Sequence, residues 1–247
     1  MQRQRPVVPV PELFLGLLSL AIAAVWIAHI FSSTIHDAKH TADTITITGS
    51  ARKPIDSNLV RWSIQVEGDA ATPVQAALKL RRESRTIVAF LSGAGIRRSA
   101  ISPEVVQSEA VVTRISKRKT RTSYRVYQAY DVSTRQIDVV EAAATRVGDL
   151  LARGVDVSAQ PLEYISTDLE EAKLQALSAA TAEVRRRAEI LVKGLGGKLG
   201  KMRASSLGVY QITPRNSTEV SDYGISDTSS RLKDVTAVVS ATFAVKR

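Results

Sequence analysis

One stretch constrains this chain more than any other. Residues 13–31 read LFLGLLSLAIAAVWIAHIF, apolar and free of Lys, Arg, Asp and Glu, and no other uncharged run approaches that length. About 19 residues at ~1.5 Å of rise each nearly match a hydrocarbon core of ~30 Å. Inside lipid a backbone must satisfy its own polar groups, so the stretch is predicted to be one transmembrane helix. Arg3 and Arg5 precede it, and the first acid is Glu12. The positive-inside rule then keeps residues 1–12 cytoplasmic and sends everything after the helix across the membrane. A cleaved secretory signal is the first alternative. Its apolar core is shorter, about 7–15 residues, and ends at a small-x-small site. Trp26, His29, Ile30 and Phe31 stand where that site belongs. A buried helix of a soluble fold is the second alternative. The length and flanks favour an uncleaved signal-anchor at residues 13–31.

Residues 32–43 are polar and read as a juxtamembrane linker. Residues 44–247 are long enough for one compact domain or two small ones. The chain has no cysteine, which excludes disulfides, thiol catalysis and cysteine-ligated metals. Its three histidines, His29, His36 and His40, all lie in or just after the apolar stretch. Residues 44–247 therefore hold no Ser-His-Asp triad and no histidine metal site. The formal net charge is +10. A basic surface beside a membrane suits anionic lipid, lipopolysaccharide or wall polymer better than nucleic acid, and it also serves solubility alone.

Alternation marks the strands and a period of three to four marks the helices. Residues 44–48 (Thr-Ile-Thr-Ile-Thr) alternate, with Gly49 expected to end the strand. Val60, Trp62, Ile64 and Val66 make one face of a second strand, closed by Gly68-Asp69. Thr72 caps a helix with Pro73 at its first position. Ala77, Leu80, Ser84, Ile87 and Leu91 form its stripe, and the glycines at 93 and 95 stop it. Residues 104–115 and 124–134 form a long hairpin whose tip, residues 116–123, is basic. Tyr124, Val126, Tyr130 and Val132 share one face of its second strand. Ile137, Val140, Ala144, Val147 and Leu151 mark a second helix ended by Gly154. Residues 155–165 read as a strand interrupted at Pro161. Thr167 starts a long third helix with the stripe Leu177, Ala180, Val184, Ala188, Leu191 and Leu195. Residues 200–212 form a strand, residues 213–233 a loop, and Val235, Ala237, Val239, Ala241, Phe243 and Val245 a final strand. The class that follows is α+β: mainly antiparallel sheets with three packed helices, preceded by one transmembrane helix.

Four stretches resemble the SIMPL domain (DUF541), a family of bacterial periplasmic envelope proteins. They are Ile45-Thr46-Ile47-Thr48-Gly49-Ser50 with the strand at 59–67; residues 91–101 with Gly95-Ile96, followed by 104–110; residues 124–154; and residues 172–199, ending Gly196-Gly197-Lys198-Leu199-Gly200. Together they span roughly residues 44–247. The chain departs from the family pattern at Ala100-Ile101-Ser102-Pro103, where an acid is usual. It departs again at residues 154–164, and in its uncleaved-looking anchor. The resemblance implies a two-part α+β fold, an envelope location and self-association. It implies no catalytic residues and no cofactor.

Five candidate sites follow from the residues. The hairpin tip offers Lys117, Arg118, Lys119 and Arg121, flanked by Arg114 and Arg125, as an anion- or partner-binding cluster with salt-dependent affinity. Charge runs are also solvated faces, and that reading stands beside it. Arg185, Arg186 and Arg187 point around a helix and cannot form one fork. His36 and His40, spaced i, i+4 near Asp37 and Asp43, lack the further ligands of a metal site. Glu170 and Glu171 suit a helix start, and Asn216-Ser217-Thr218 is a formal glycosylation sequon, discounted because the resemblance is mainly bacterial. The expectation is a non-enzymatic, single-pass inner-membrane protein with its C-terminal domain in the periplasm. It is read as a homo-oligomeric scaffold or envelope-stress protein. The alternatives are a binding module for anionic lipid, polysaccharide or protein, and an enzyme acting on envelope polymers. No metal, cofactor or nucleic acid is expected as a partner.

Overall fold

The structure is a computed structural model and describes residues 43–116 and 118–246. The expected cytoplasmic segment and anchor, residues 32–42 of the expected linker, Lys117 and Arg247 lie outside the described residues. No described helix is long and apolar enough to cross a membrane. The architecture is α+β with antiparallel pairing dominant, as the alternating runs predicted.

The chain divides into two compact units. Within the described residues, unit 1 holds 43–49, 182–206 and 239–246, and unit 2 holds 50–181 and 207–238. Unit 2 contains a six-stranded sheet. Strand β2 (Leu59–Ala70) pairs with β5 (Lys119–Thr134) from Val60↔Thr134 through Ala70↔Tyr124. On β5, β3 (Ile101–Pro103) and β4 (Gln107–Ser116) add to the sheet. On β2, β6 (Val157–Ala159) and β7 (Glu163–Ile165) do so. The break between β6 and β7 falls at Gln160, Pro161 and Leu162, because proline cannot donate to a ladder.

One face of this sheet is the core. Val60, Trp62, Ile64, Val66, Val126, Tyr130 and Val132 are buried there. They cluster with α1 (Pro73–Gly93), α2 (Ile137–Thr145) and α3 (Gly148–Ala152) through Leu80, Ile87, Leu91, Ile137, Val140 and Leu150. Thr72 caps α1, its hydroxyl accepting from Gln75 N at 3.3 Å, and Pro73 opens the helix. The buried face of α1 is Ala76, Leu80, Glu83, Ile87 and Leu91. The expected stripe therefore slips by one at Ala77 and Ser84. The expected second helix is two pieces, α2 and α3, divided at Arg146–Val147.

A five-stranded sheet runs β1 (Thr44–Asp56), β11 (Leu232–Lys246), β9 (Gln211–Pro214), β10 (Ile225–Ser226), with β8 (Lys198–Leu207) also on β11. Strands β1 and β11 and the long helix α4 (Leu169–Gly194) pass through both units. Three expectations are corrected here. Gly49 does not end the first strand: β1 continues to Asp56. A Cβ at Gly49 would stand 2.8 Å from Val184 Cγ2, so the glycine marks the place where α4 crosses the strand closely. The expected strand 200–212 is two strands, broken where Gly208 N–H donates to Val238 O at 2.9 Å. The expected loop 213–233 contains β10, parallel to β9, and buries Thr213 and Lys233.

Candidate functional site

The basic hairpin is more strand than tip. The β4–β5 ladder runs from Gln107↔Tyr127 to Ser116↔Lys119, with an irregularity between Arg114 and Ser116. Side chains alternate across a strand, which divides the predicted cluster. Lys119, Arg121 and Arg125 share one face of β5. Arg114, opposite Thr120, faces the other way. Arg118 occupies the turn. Arg125 is engaged by Glu67 and Glu109, both at 3.3 Å, and by Asp69 at 4.0 Å. Arg114, Arg118, Lys119 and Arg121 are exposed and carry no ion pair among the described residues.

The hairpin also leaves its edges open. Among the described residues strand β4 pairs with β5 alone, and every residue of it but Val111 is exposed. The register between β2 and β5 stops at Tyr124, so, among the described residues, positions 119–123 of β5 pair only with β4. Val106, Val112 and Ile115 are 50%, 64% and 56% exposed. A projecting ribbon with unpaired backbone edges and apolar side chains is a template for strand addition.

A second feature was missed by sequence reasoning. The outer face of the six-stranded sheet carries a groove of about 730 Å³, within the ~300–1,000 Å³ usual for small-ligand pockets. The register places its polar groups in one row. Arg61 lies opposite Ser133 and Glu163, and Asp131 lies opposite Ser63 and Ser102. Among the described residues no ion pair engages Arg61, Asp131 or Glu163. Thr228 and Ser229 form one wall. A cation, two carboxylates and these hydroxyls can orient a zwitterionic or hydroxyl-rich small molecule through hydrogen bonds.

That wall is pinned. Lys233 is 3% exposed, and its Nζ donates to the carbonyls of Tyr164 and Asp227, both at 2.6 Å. Desolvation holds its ammonium below the ordinary lysine value, against the raising effect of Asp227. Burial pushes the Asp227 carboxyl up. Hydrogen bonds from Ser229 and Ser230 and the Lys233 charge outweigh it and leave the group below its ordinary value. Tyr164 N–H donates to Thr228 O at 2.7 Å, and its hydroxyl donates to Glu141 at 2.8 Å. Desolvation, then that hydrogen bond and the Glu141 charge, push the phenol up to about 12. Arg231 pairs with Asp138 and Glu141, tying the same loop to α2. The outward charges at 61 and 131 look like solvated strand positions in the sequence. Nothing there reveals the loop across from them.

Arg185, Arg186 and Arg187 each pair with Glu183 or Glu189 on their own helix, the solvated face expected of them. His36, Asp37 and His40 lie outside the described residues, and among the described residues no group of acids and histidines gathers as a metal site.

The SIMPL family model, described as a protein of unknown function (DUF541), matches residues 45–243. The chain belongs to the SIMPL family. The match runs from β1 to β11 and takes in the described parts of both units, so the resemblance carried by the four motif stretches holds over the whole domain. No curated protein matches this SIMPL chain. Among solved structures, the ligand-free regulatory subunit of aspartate kinase from Thermus thermophilus is 14% identical, over 80% of this chain and 88% of that one, with a TM-score of 0.18. A Burkholderia cenocepacia protein assigned as an amidohydrolase or peptidase is 18% identical, over 51% of this chain and 31% of that one, with a TM-score of 0.20. At these scores neither likeness carries an argument about the SIMPL chain.

Proposed function

We propose that this SIMPL chain is a membrane-anchored protein of the bacterial envelope, held by residues 13–31 with residues 44–247 in the periplasm, and that it acts by self-association rather than catalysis. One observation carries the reading: among the described residues β4 is a long, exposed strand paired on one side only, with Val112 and Ile115 open to solvent. Native folds usually blunt such an edge. A symmetric pairing of two β4 edges satisfies the unpaired N–H and C=O groups of both copies at once. The anchor confines the copies to two dimensions and raises their effective concentration, so a weak contact suffices. The role that follows is a scaffold, with envelope-stress protection as its physiological setting.

The mass of the full chain in detergent, measured by light scattering at low and high salt, tests this. A defined multiple of the monomer at both salts supports self-association through strand and apolar contacts. A monomer at both salts overturns it.

The free cations Arg114, Arg118, Lys119 and Arg121 favour a second reading, in which the hairpin docks an anionic lipid or polysaccharide. Binding to lipopolysaccharide-containing vesicles that falls steeply with salt, and is abolished by neutralising these residues, supports that reading. Salt-insensitive binding, or none, removes it.

A further inference from the structure

The long helix ends with apolar side chains that are exposed among the described residues. Its buried line is Ala172, Ala176, Ala180, Val184, Ala188 and Val192. Ile190, Leu191 and Leu195 are left 62%, 44% and 78% exposed. All three belong to unit 1. The start of the described chain comes to the same place. Val245 N–H donates to Asp43 O at 2.8 Å, and a Cβ at Gly197 would lie 3.1 Å from Lys246 O. A cleft of about 410 Å³ there is lined by Thr44, Ile45, Val192, Leu195 and Val245.

The charge around this lip is one-sided. Lys193, Lys198 and Lys246 are exposed and make no ion pair among the described residues, and Lys201 and Arg203 follow on β8. Of the acids in the described part of unit 1, Glu183 and Glu189 are taken by Arg185, Arg186 and Arg187. Asp43, the third, is engaged as well. Exposed Leu and Ile beside unpaired lysines match the composition of segments that lie in a lipid interface. The chain enters this lip at residue 43, and residues 32–42 are all that separate it from the apolar run. Even fully extended, that stretch spans no more than about 40 Å at ~3.6 Å per residue.

We propose that this end of unit 1 rests on an anionic phospholipid surface. Leu195 and its neighbours enter the headgroup layer, and Lys193, Lys198 and Lys246 meet lipid phosphates. The contact is separate from the hairpin and fixes the domain against the bilayer. It rests on the reading that residues 13–31 are a membrane anchor.

The absence of cysteine from the chain makes the test direct. Leu195→Cys, carrying an environment-sensitive dye, is reconstituted in the full chain into phosphatidylcholine vesicles, with or without phosphatidylglycerol. Leu78→Cys, exposed on α1 of unit 2, is the control. Brominated lipid should quench the label at 195 several-fold more than the label at 78 in anionic vesicles. Combined Lys193→Gln, Lys198→Gln and Lys246→Gln changes should remove most of that difference. Equal quenching at the two positions overturns the proposal. So does burial of the 195 label that depends on protein concentration and not on lipid charge, which assigns the lip to a second copy. Alkaline carbonate extraction of the same vesicles reports the anchor separately. A released chain overturns the anchor, and quenching of the 195 label by added vesicles still decides the lip.

Discussion

Gly68 shows how a single residue can carry a fold while looking like punctuation. In the sequence it reads as the end of a strand. In the structure β2 continues through it to Ala70. A Cβ there would stand 2.3 Å from Ala76 O and 2.6 Å from Leu80 N. The missing side chain is what lets α1 lie directly on the sheet. Gly68→Ala should therefore lower stability by about 1–3 kcal/mol, the usual cost of overpacking. Gly93→Ala, where nothing lies within 4 Å, should change it little. Urea unfolding of the two variants side by side checks this. Tyr164 gives a second prediction. Its phenol is pushed from 10.0 up to about 12, so folding favours the neutral form. The stabilisation is complete below pH 10 and is lost as the pH rises through about 12. Tyr164→Phe should flatten the fall in stability across that window, read as the denaturation midpoint against pH. An unchanged slope would place the loss elsewhere. Proximity of this kind is invisible in a sequence, where a glycine between strand and turn residues looks like a stop.

Individual elements were largely legible, and their packing faces less so. Alternation located β2, β5 and β11, because a half-buried strand must alternate. Thr72-Pro73 located the start of α1. The expected stripe of α4 holds at Ala180, Val184 and Ala188, but Leu177, Leu191 and Leu195 lie off it: the buried line takes every fourth residue and is mostly alanine. Small side chains are what a helix crossing a strand at Gly49 can accommodate. Ala188→Leu should therefore cost about 1–3 kcal/mol by overpacking. Leu191→Ala should stay within about 0.5 kcal/mol, as surface changes do. Thermal unfolding of each variant in detergent tests the assignment. The hairpin was also only half legible. The sequence showed two strands and a basic connection. The ladder carries the pairing to Ser116 and Lys119 and so distributes the cations over two faces. The outer groove stayed hidden because Arg61, Asp131 and Glu163 come from three strands, and their juxtaposition is a property of register alone.

At the scale of the molecule, the SIMPL match over residues 45–243 joins two units through β1, α4 and β11, which contribute to both. The functional account rests on what the described fold leaves unsatisfied, which is the free edge of β4. Single cysteines placed along β4 from Gln107 to Ser116 in the full, membrane-inserted chain test this most directly, with Ala77→Cys and Leu78→Cys on α1 as controls. Oxidation should give disulfide-linked dimers that peak at one β4 position and its immediate neighbours, where a two-fold axis brings a strand against its own copy. Cross-linking absent from every β4 position, or no stronger there than on α1, would contradict self-association through this edge.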